Sequence, residues 1–366
     1  METELHNFVF VWISVVAALI YCRYISILLP VGPKRLFFFL PVILLFLLLP
    51  LRLTTLSLAG LTSFSIAWLS NFKLLLLAYG KGPLVPPPTS SPLSLQLFVT
   101  TASLPIKISP SAESPTSKNG GGRGLKSPAN YVAKCLLLVS LFPLYQRSDY
   151  VHEKVMMLAY SVHVYIVLEV ALAVIGVAAA RLIGMAVEPQ FDEPYLATSL
   201  QDFWGRRWNL MATSILWPSV YEPIRLASGR LVGRQWAALP AVLITFAVSA
   251  LMHELIFYYI GRKEPTWVVT WFFLLHGVAV AAEVAAKKAL HGMRWRLPAE
   301  VSRVLTVGFV VVTGFWLFLP PLLRYDTVAK ARRETIAVIE FVKCPWSLLR
   351  FSSFTVISGL SSLYPD

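Results

Sequence analysis

The amino-acid sequence predicts an all-α integral membrane protein: a polytopic bundle of roughly eight to ten transmembrane helices with re-entrant or interfacial segments. Three observations carry that expectation. Of 366 residues, 57% are hydrophobic and only 14% charged, and the mean hydropathy is +0.67. A water-soluble chain of this size has no use for so much apolar surface. The apolar residues gather into runs long enough to cross a bilayer, and the basic residues fall in the connections between those runs.

The runs are taken in chain order. The first, about 8–29, follows Glu2 and Glu4 rather than a basic region, and no small-residue cleavage site comes after it. It therefore reads as a first transmembrane helix and not as a signal peptide. Runs over 36–51 and 53–78 complete an N-terminal unit, residues 1–79. Residues 80–130 are rich in Pro, Ser, Thr and Gly, including Pro86-Pro87-Pro88 and Gly120-Gly121-Gly122. Such a composition buries too little surface to fold alone, so a partly ordered cytoplasmic loop is expected, with 93–104 dipping onto the membrane. Residues 131–366 form a C-terminal block with runs at 131–146, 155–180, 237–260, 266–286 and 301–323. The runs 36–51 and 131–146 are short for a full crossing at about 1.5 Å per residue. Two further segments, 210–228 and 335–363, are apolar but broken by Pro, Arg or Lys, and could span, re-enter or lie at the interface.

The net charge of +13 raises the question of nucleic acid, but the basic residues form no single patch interleaved with exposed aromatics. The positive-inside rule accounts for them better, with a lumenal N-terminus and cytoplasmic connections holding Lys34 and Arg35, Lys81 to Lys126, Arg181 to Arg207, and Lys287 to Arg296. The last lumenal loop, with Arg324, Lys330, Arg332 and Arg333, breaks that pattern. Cys22, Cys135 and Cys344 form no C-x-x-C pair. None of the six histidines stands in H-x-x-x-D, H-x-x-H, H-x-x-x-H or H-E-x-x-H, and there is no G-x-S-x-G elbow or Walker loop. Metal chemistry, a serine nucleophile and nucleotide hydrolysis thus lack their usual signatures, and no metal or resident cofactor is expected.

What remains is an ionisable pair, His253-Glu254, inside the apolar run 237–260. An ionisable side chain at that depth costs about 2.5 kcal/mol or more unless partnered, which makes it a functional candidate. Glu254 is turned about 100° from His253 on a helix and cannot share its face. It reads either as a paired structural carboxyl or as a support for the site. Upstream lies Asp202-Phe203-Trp204-Gly205-Arg206-Arg207-Trp208-Asn209. Indoles at headgroup depth with arginines facing phosphates suit an interfacial anchor. They suit equally a site in which Asn209 presents its amide to a reaction centre while Arg206, Arg207, Trp204 and Trp208 hold an anionic group such as the phosphates of coenzyme A. His276 and Glu283, on one face of a later run, read as interhelical hydrogen bonds.

The pairing of D-F-W-G-R-R-W-N with Ser249-Ala250-Leu251-Met252-His253-Glu254 resembles the membrane-bound O-acyltransferase superfamily, in detail its plant wax-synthase branch, which includes sterol acyltransferases. The likeness extends through Glu188 to Phe191, Tyr195 to Gln201, Trp217 to Pro223 and Phe257 to Tyr259, and covers about 155–325 well. The resemblance implies an endoplasmic-reticulum enzyme that joins an acyl group from acyl-CoA to a lipid hydroxyl. Wax-ester formation from a long-chain alcohol is the expected reaction, with a sterol acceptor as the rival. In that chemistry His253 is the general base, Asn209 the oxyanion donor or acyl-chain guide, and Asp202 and Glu254 supports. A lipid transporter with His253 as proton relay is the alternative of a different class.

Overall fold

The computed structural model describes residues 2–86, 92–109, 126–147, 150–290, 297–324, 330 and 333–334. The segment 335–363, Cys344, His291 and the Gly120–Gly122 part of the loop lie outside the described residues. Among the described residues the fold is helical throughout, with one isolated antiparallel bridge, Ile108 to Val187. Eight helices among them are long and apolar enough to cross a membrane, and they coincide with the eight expected runs.

The N-terminal unit is built from α1 (Glu2–Leu28), α2 (Pro33–Leu48) and α3 (Leu56–Ala78). Pro33 opens α2, where its missing N–H is no loss. With Leu49–Arg52 continuing the coil, the span Pro33–Arg52 reaches 20 residues, about 30 Å and so a full crossing. α3 is the most enclosed span of the bundle. Its buried Thr62, Ser63, Ser65 and Ser70 are small, so neighbouring helices approach closely. The hydroxyls of Ser63 and Ser65 donate to their own helix's carbonyls.

The stretch 93–104 does not rest on the membrane surface. It contains α4 (Leu95–Ser103), whose Ser94 cap accepts from the Leu97 N–H at 3.2 Å, and α4 is packed inside the bundle with Phe98 1% and Ala102 0% exposed. The fully buried Lys73 of α3 explains this placement. Its Nζ donates to the Thr101 and Leu104 carbonyls, both at 2.7 Å, and Ser70 Oγ donates to the Ala102 carbonyl at 2.7 Å. Orphan carbonyls at a helix C-terminus are a natural partner for a cation. After α4 the chain pairs with the far side of the protein: Glu188 N–H donates to the Lys107 carbonyl at 2.8 Å, and Ser109 N–H to the Ala186 carbonyl at 2.9 Å.

In the C-terminal block, α5 (Pro128–Ser140) leads through Phe142–Gln146 to α6 (Glu153–Ile183). At 31 residues, α6 is about 46 Å long and exceeds the hydrocarbon thickness by roughly half. Gly184, at φ 68°, ends it in the left-handed region that glycine tolerates. Lys126 and Lys134 meet Glu169 of α6 at 2.8 and 2.9 Å and share Glu193 with it. Burial works against the Lys126 ammonium, but the Glu169 and Glu193 carboxylates more than offset this and hold its pKa above the usual lysine value.

A further helix, α7, runs without a break through Leu210–Leu216, Trp217–Tyr221 and Glu222–Ser228. It is followed by α8 (Ala238–Gly261), α9 (Val268–Ala289) and α10 (Ala299–Leu323). Both flanks of α7 are tied to one end of α9. Before it, Leu200 N–H donates to Glu283 at 2.8 Å; after it, Lys288 Nζ donates to the Gln235 carbonyl. The stretches flanking α7 are thus held by the same terminus of α9, while the first turns of α7 pack into the bundle beside Trp68 and Met252. α8 and α9 form a tight antiparallel hairpin, and at Gly277 an added Cβ would lie 2.8 Å from Phe246 Cβ, so only glycine permits that approach.

Candidate active site

His253 lies 15 residues into α8, about 22 Å along its axis from Ala238. Its Nδ1 is 2.8 Å from the Ser249 carbonyl oxygen, one turn back. A carbonyl can only accept, so the proton is on Nδ1 and Nε2 carries a bare lone pair. The imidazole stacks on Phe273 at 4.1 Å and 29°, and meets Trp68 edge to face at 5.3 Å. Phe318 stands 6.2 Å away. The ring is half-buried within this aromatic wall. The buried indole N–H of Trp68 has no hydrogen-bond partner among the described residues.

Glu254 points elsewhere, as its rotation on the helix requires. It is 6% exposed and accepts from Thr270 N–H at 3.2 Å and from Thr270 Oγ1 at 3.0 Å. A carboxylate at the first turn of α9 meets unpaired N–H groups and the positive end of the helix dipole. Glu254 thus clamps the α8–α9 hairpin that holds Phe273 against His253.

The segment 187–209 closes on itself. Asp192 N–H donates to the Arg207 carbonyl at 2.9 Å, and Leu210 N–H to the Gln190 carbonyl at 2.8 Å. Arg207 Nε pairs with Asp202 at 2.7 Å, while its Nη1 donates to the Asp192 carbonyl at 3.1 Å. Trp208 stacks on Phe203 at 5.5 Å and meets Phe191 edge-on at 5.1 Å. Trp204 Nε1 donates to His276 Nδ1 at 3.0 Å. Arg207, Trp204 and Trp208 are therefore engaged in building the wall. Arg206 is exposed and borders a groove of about 290 Å³ with Lys107, Glu188, Thr213, Ser214 and Trp217, in which Lys107 Nζ pairs with Glu188 at 2.7 Å.

Asn209 stands between groove and wall, immediately after Trp208 and immediately before α7. Its backbone is left-handed, at φ 41° and ψ 65°, and its Oδ1 accepts from the Ala212 N–H at 3.1 Å. Asparagine tolerates this conformation better than most side chains and is among the best caps. With the oxygen engaged in the cap, the amide nitrogen is left as the donor end. The helix it caps packs through Met211, Ile215 and Leu216 into the same cluster as Trp68, Trp208 and Met252, the residue before His253.

The sequence singles out His253, Asn209, Asp202 and Glu254 as candidates; it does not point to Trp68, Phe273 and Phe318, the rings around His253, or to Lys107 beside Arg206. Trp68 sits in a span legible only as apolar, although its small-residue neighbours Ser65 and Ser70 signal a buried face. Among the described residues no group of three His, Cys, Asp or Glu could hold a metal.

A histidine set among aromatic rings in a membrane-spanning helix, with a capping asparagine and a groove bordered by Arg206 on the neighbouring segment, describes a polytopic membrane protein with a candidate catalytic centre inside the bundle. Comparison with known proteins specifies the chemistry. Residues 187–275 match the membrane bound O-acyl transferase family. Acyl-CoA–sterol O-acyltransferase 1 of Arabidopsis thaliana is 45% identical over 336 residues, 92% of this chain and 96% of that protein. The long-chain-alcohol O-fatty-acyltransferase of Simmondsia chinensis is 46% identical over 338 residues, 91% of this chain and 94% of its own. Probable long-chain-alcohol O-fatty-acyltransferase 9 of Arabidopsis thaliana is 40% identical, covering 95% of this chain and all of that protein. The chain belongs to the membrane bound O-acyl transferase family. It is a multi-pass membrane O-acyltransferase.

Proposed function

We propose that the enzyme transfers a fatty acyl group from acyl-CoA to a long-chain fatty alcohol, forming a wax ester, in the endoplasmic-reticulum membrane with the groove on the cytoplasmic side. The observation that supports this best is His253 itself: a neutral ring, its tautomer set by Ser249, with Nε2 bare inside a membrane-embedded aromatic chamber. The alcohol O–H gives its proton to Nε2 as the oxygen attacks the thioester carbonyl, and a C–O bond forms. The tetrahedral oxyanion takes a hydrogen bond from Asn209 Nδ2. As it collapses the C–S bond breaks, and the proton on Nε2 passes to the departing sulfur to give free CoA. No covalent enzyme intermediate and no cofactor beyond acyl-CoA are needed.

Arg206, and Lys107 once a phosphate replaces Glu188 as its partner, suit the CoA phosphates at the groove mouth. A sterol acceptor is the second reading, favoured by the 45% identity to a sterol acyltransferase. The close packing of Phe273 and Trp68 on His253 is read as favouring a flexible chain over a rigid ring system. The deciding experiment supplies labelled acyl-CoA with fatty alcohol, sterol or diacylglycerol to membranes carrying the enzyme, beside an equally abundant His253→Ala variant. Wax ester from the alcohol, lost by about a hundredfold or more in the variant, is expected. Sterol ester alone would replace the acceptor, and ester formation surviving the substitution would remove His253 from the mechanism.

A further inference from the structure

His276 is fully buried, at 0% exposure, on α9. Both its ring nitrogens are spoken for. Its Nε2 is 2.8 Å from Thr313 Oγ1 of α10, and its Nδ1 accepts from Trp204 Nε1 at 3.0 Å. The proton positions follow from the partners. Thr313 Oγ1 spends its own proton on the Phe309 carbonyl, at 2.7 Å, and so accepts from Nε2–H. An indole N–H can only donate, so Nδ1 is the acceptor. His276 is a neutral imidazole with no nitrogen left for substrate, which excludes it as a second base.

What it holds is informative. The Trp204 ring lies 5.9 Å from Phe273, the ring stacked on His253, and 6.2 Å from Trp208, the neighbour of Asn209. Its backbone carbonyl also accepts from Thr213 Oγ1 of α7 at 3.2 Å. Trp204 is thus the spacer between the segment that carries Asn209 and the hairpin that carries His253. Aromatic contacts alone leave a ring free to slide, because they are weakly directional. A hydrogen bond to a buried, fully satisfied acceptor does not.

We propose that His276 is a positioning residue: it locks the Trp204 indole through Nδ1, braced from behind by Thr313, and so sets the separation of Asn209 and His253. This role rests on the reading of Asn209 and His253 given above. It predicts that the strut acts on kcat, since a misplacement of about 1 Å between reacting groups costs on the order of a hundredfold.

The test measures kcat and KM for acyl-CoA and fatty alcohol, normalised to folded enzyme, in four variants. Trp204→Phe keeps the ring and removes the N–H. His276→Leu removes both bonds. His276→Asn puts an amide oxygen where Nδ1 stood and restores the bond to Trp204 without the one to Thr313. The fourth is the double variant Trp204→Phe/His276→Leu. Expected are a fall in kcat of about tenfold or more in Trp204→Phe and in His276→Leu at little-changed KM, a double variant no worse than either single one, and recovery to within about threefold of wild type in His276→Asn. Full kcat in Trp204→Phe, or additive losses in the double variant, would overturn the strut while leaving the acyltransferase reading intact. So would a His276→Asn variant as impaired as His276→Leu. Wild-type membranes that form no ester with any acceptor would overturn the reading of the site, and this role with it. Trp204→Phe is conservative, so the proposal stays open to refutation even if His276→Leu fails to fold.

Discussion

Asn209 performs two tasks that one substitution separates. Its oxygen caps α7, and its nitrogen is the donor that the proposed mechanism assigns to the oxyanion. Asn209→Asp keeps the capping oxygen and a side chain that tolerates a left-handed backbone, but loses the donor. Asn209→Ala loses both. We expect Asn209→Asp to melt in detergent as wild type does while kcat drops by about a hundred- to a thousandfold, and Asn209→Ala to lose activity and about 1 kcal/mol of stability besides. Equal melting losses in both variants would mean that the cap is not the structural role. His253 shows the same division within one side chain, since Nδ1 is held by Ser249 and only Nε2 is left for chemistry. The sequence pointed to His253 because an ionisable group deep in an apolar run is expensive. It could not give the tautomer, which depends on which carbonyl the ring meets.

At the scale of elements, the α8–α9 hairpin is the rigid part of the site. Gly277 allows it to close, and Glu254 clamps it near the turn at Thr270. Gly277→Ala would push a methyl group against Phe246, whose ring lies 5.6 Å from Trp204 on its other side. Over-packing of this kind costs about 1–3 kcal/mol. A lower melting temperature together with a reduced kcat is therefore expected, read by thermal shift and by ester formation; unchanged values in both would show that the hairpin can yield. The expected runs matched the eight long helices because span length and hydropathy are local properties. α4 and α7 were not legible. α4 is drawn inward by Lys73, a residue distant in sequence, and the stretches on either side of α7 are held by one terminus of α9, through Glu283 and Lys288.

At the scale of the whole molecule, the polar groove and the proposed base are built from different elements: the groove from the segment before α7 and the first turns of α7, the base from α8. Asn209 and Trp204 lie on the segment that joins the groove to the aromatic rings. A substrate with a charged nucleotide head and an apolar tail fits that arrangement, the head at Lys107 and Arg206 and the thioester beside the rings. Lys107→Ala/Arg206→Ala is expected to raise KM for acyl-CoA severalfold, to leave KM for the alcohol unchanged, and to have little effect on a pantetheine thioester lacking the nucleotide. An equal effect on both donors would move the phosphate contacts elsewhere. The N-terminal unit is more than an anchor, since Trp68 reaches His253 from α3. The connection that follows it carries Lys107 to the groove, beside the Ile108–Val187 bridge.

By itself the sequence determined that this chain is a helical membrane protein, where its long helices run, and that His253 and Asn209 are the residues on which an acyltransferase reading rests. Hydropathy, helix length and short motifs are written in neighbouring residues, so they can be read in order along the chain. The tertiary structure decided which tryptophans, phenylalanines and cations surround those two. It also decided that Arg207, Trp204 and Trp208 serve the wall, and that His276 braces it. The physical reason is that apolar side chains carry no label for their partner. Which ring stacks on an imidazole, and which buried N–H finds an acceptor, depends on helices packed from far apart in the chain.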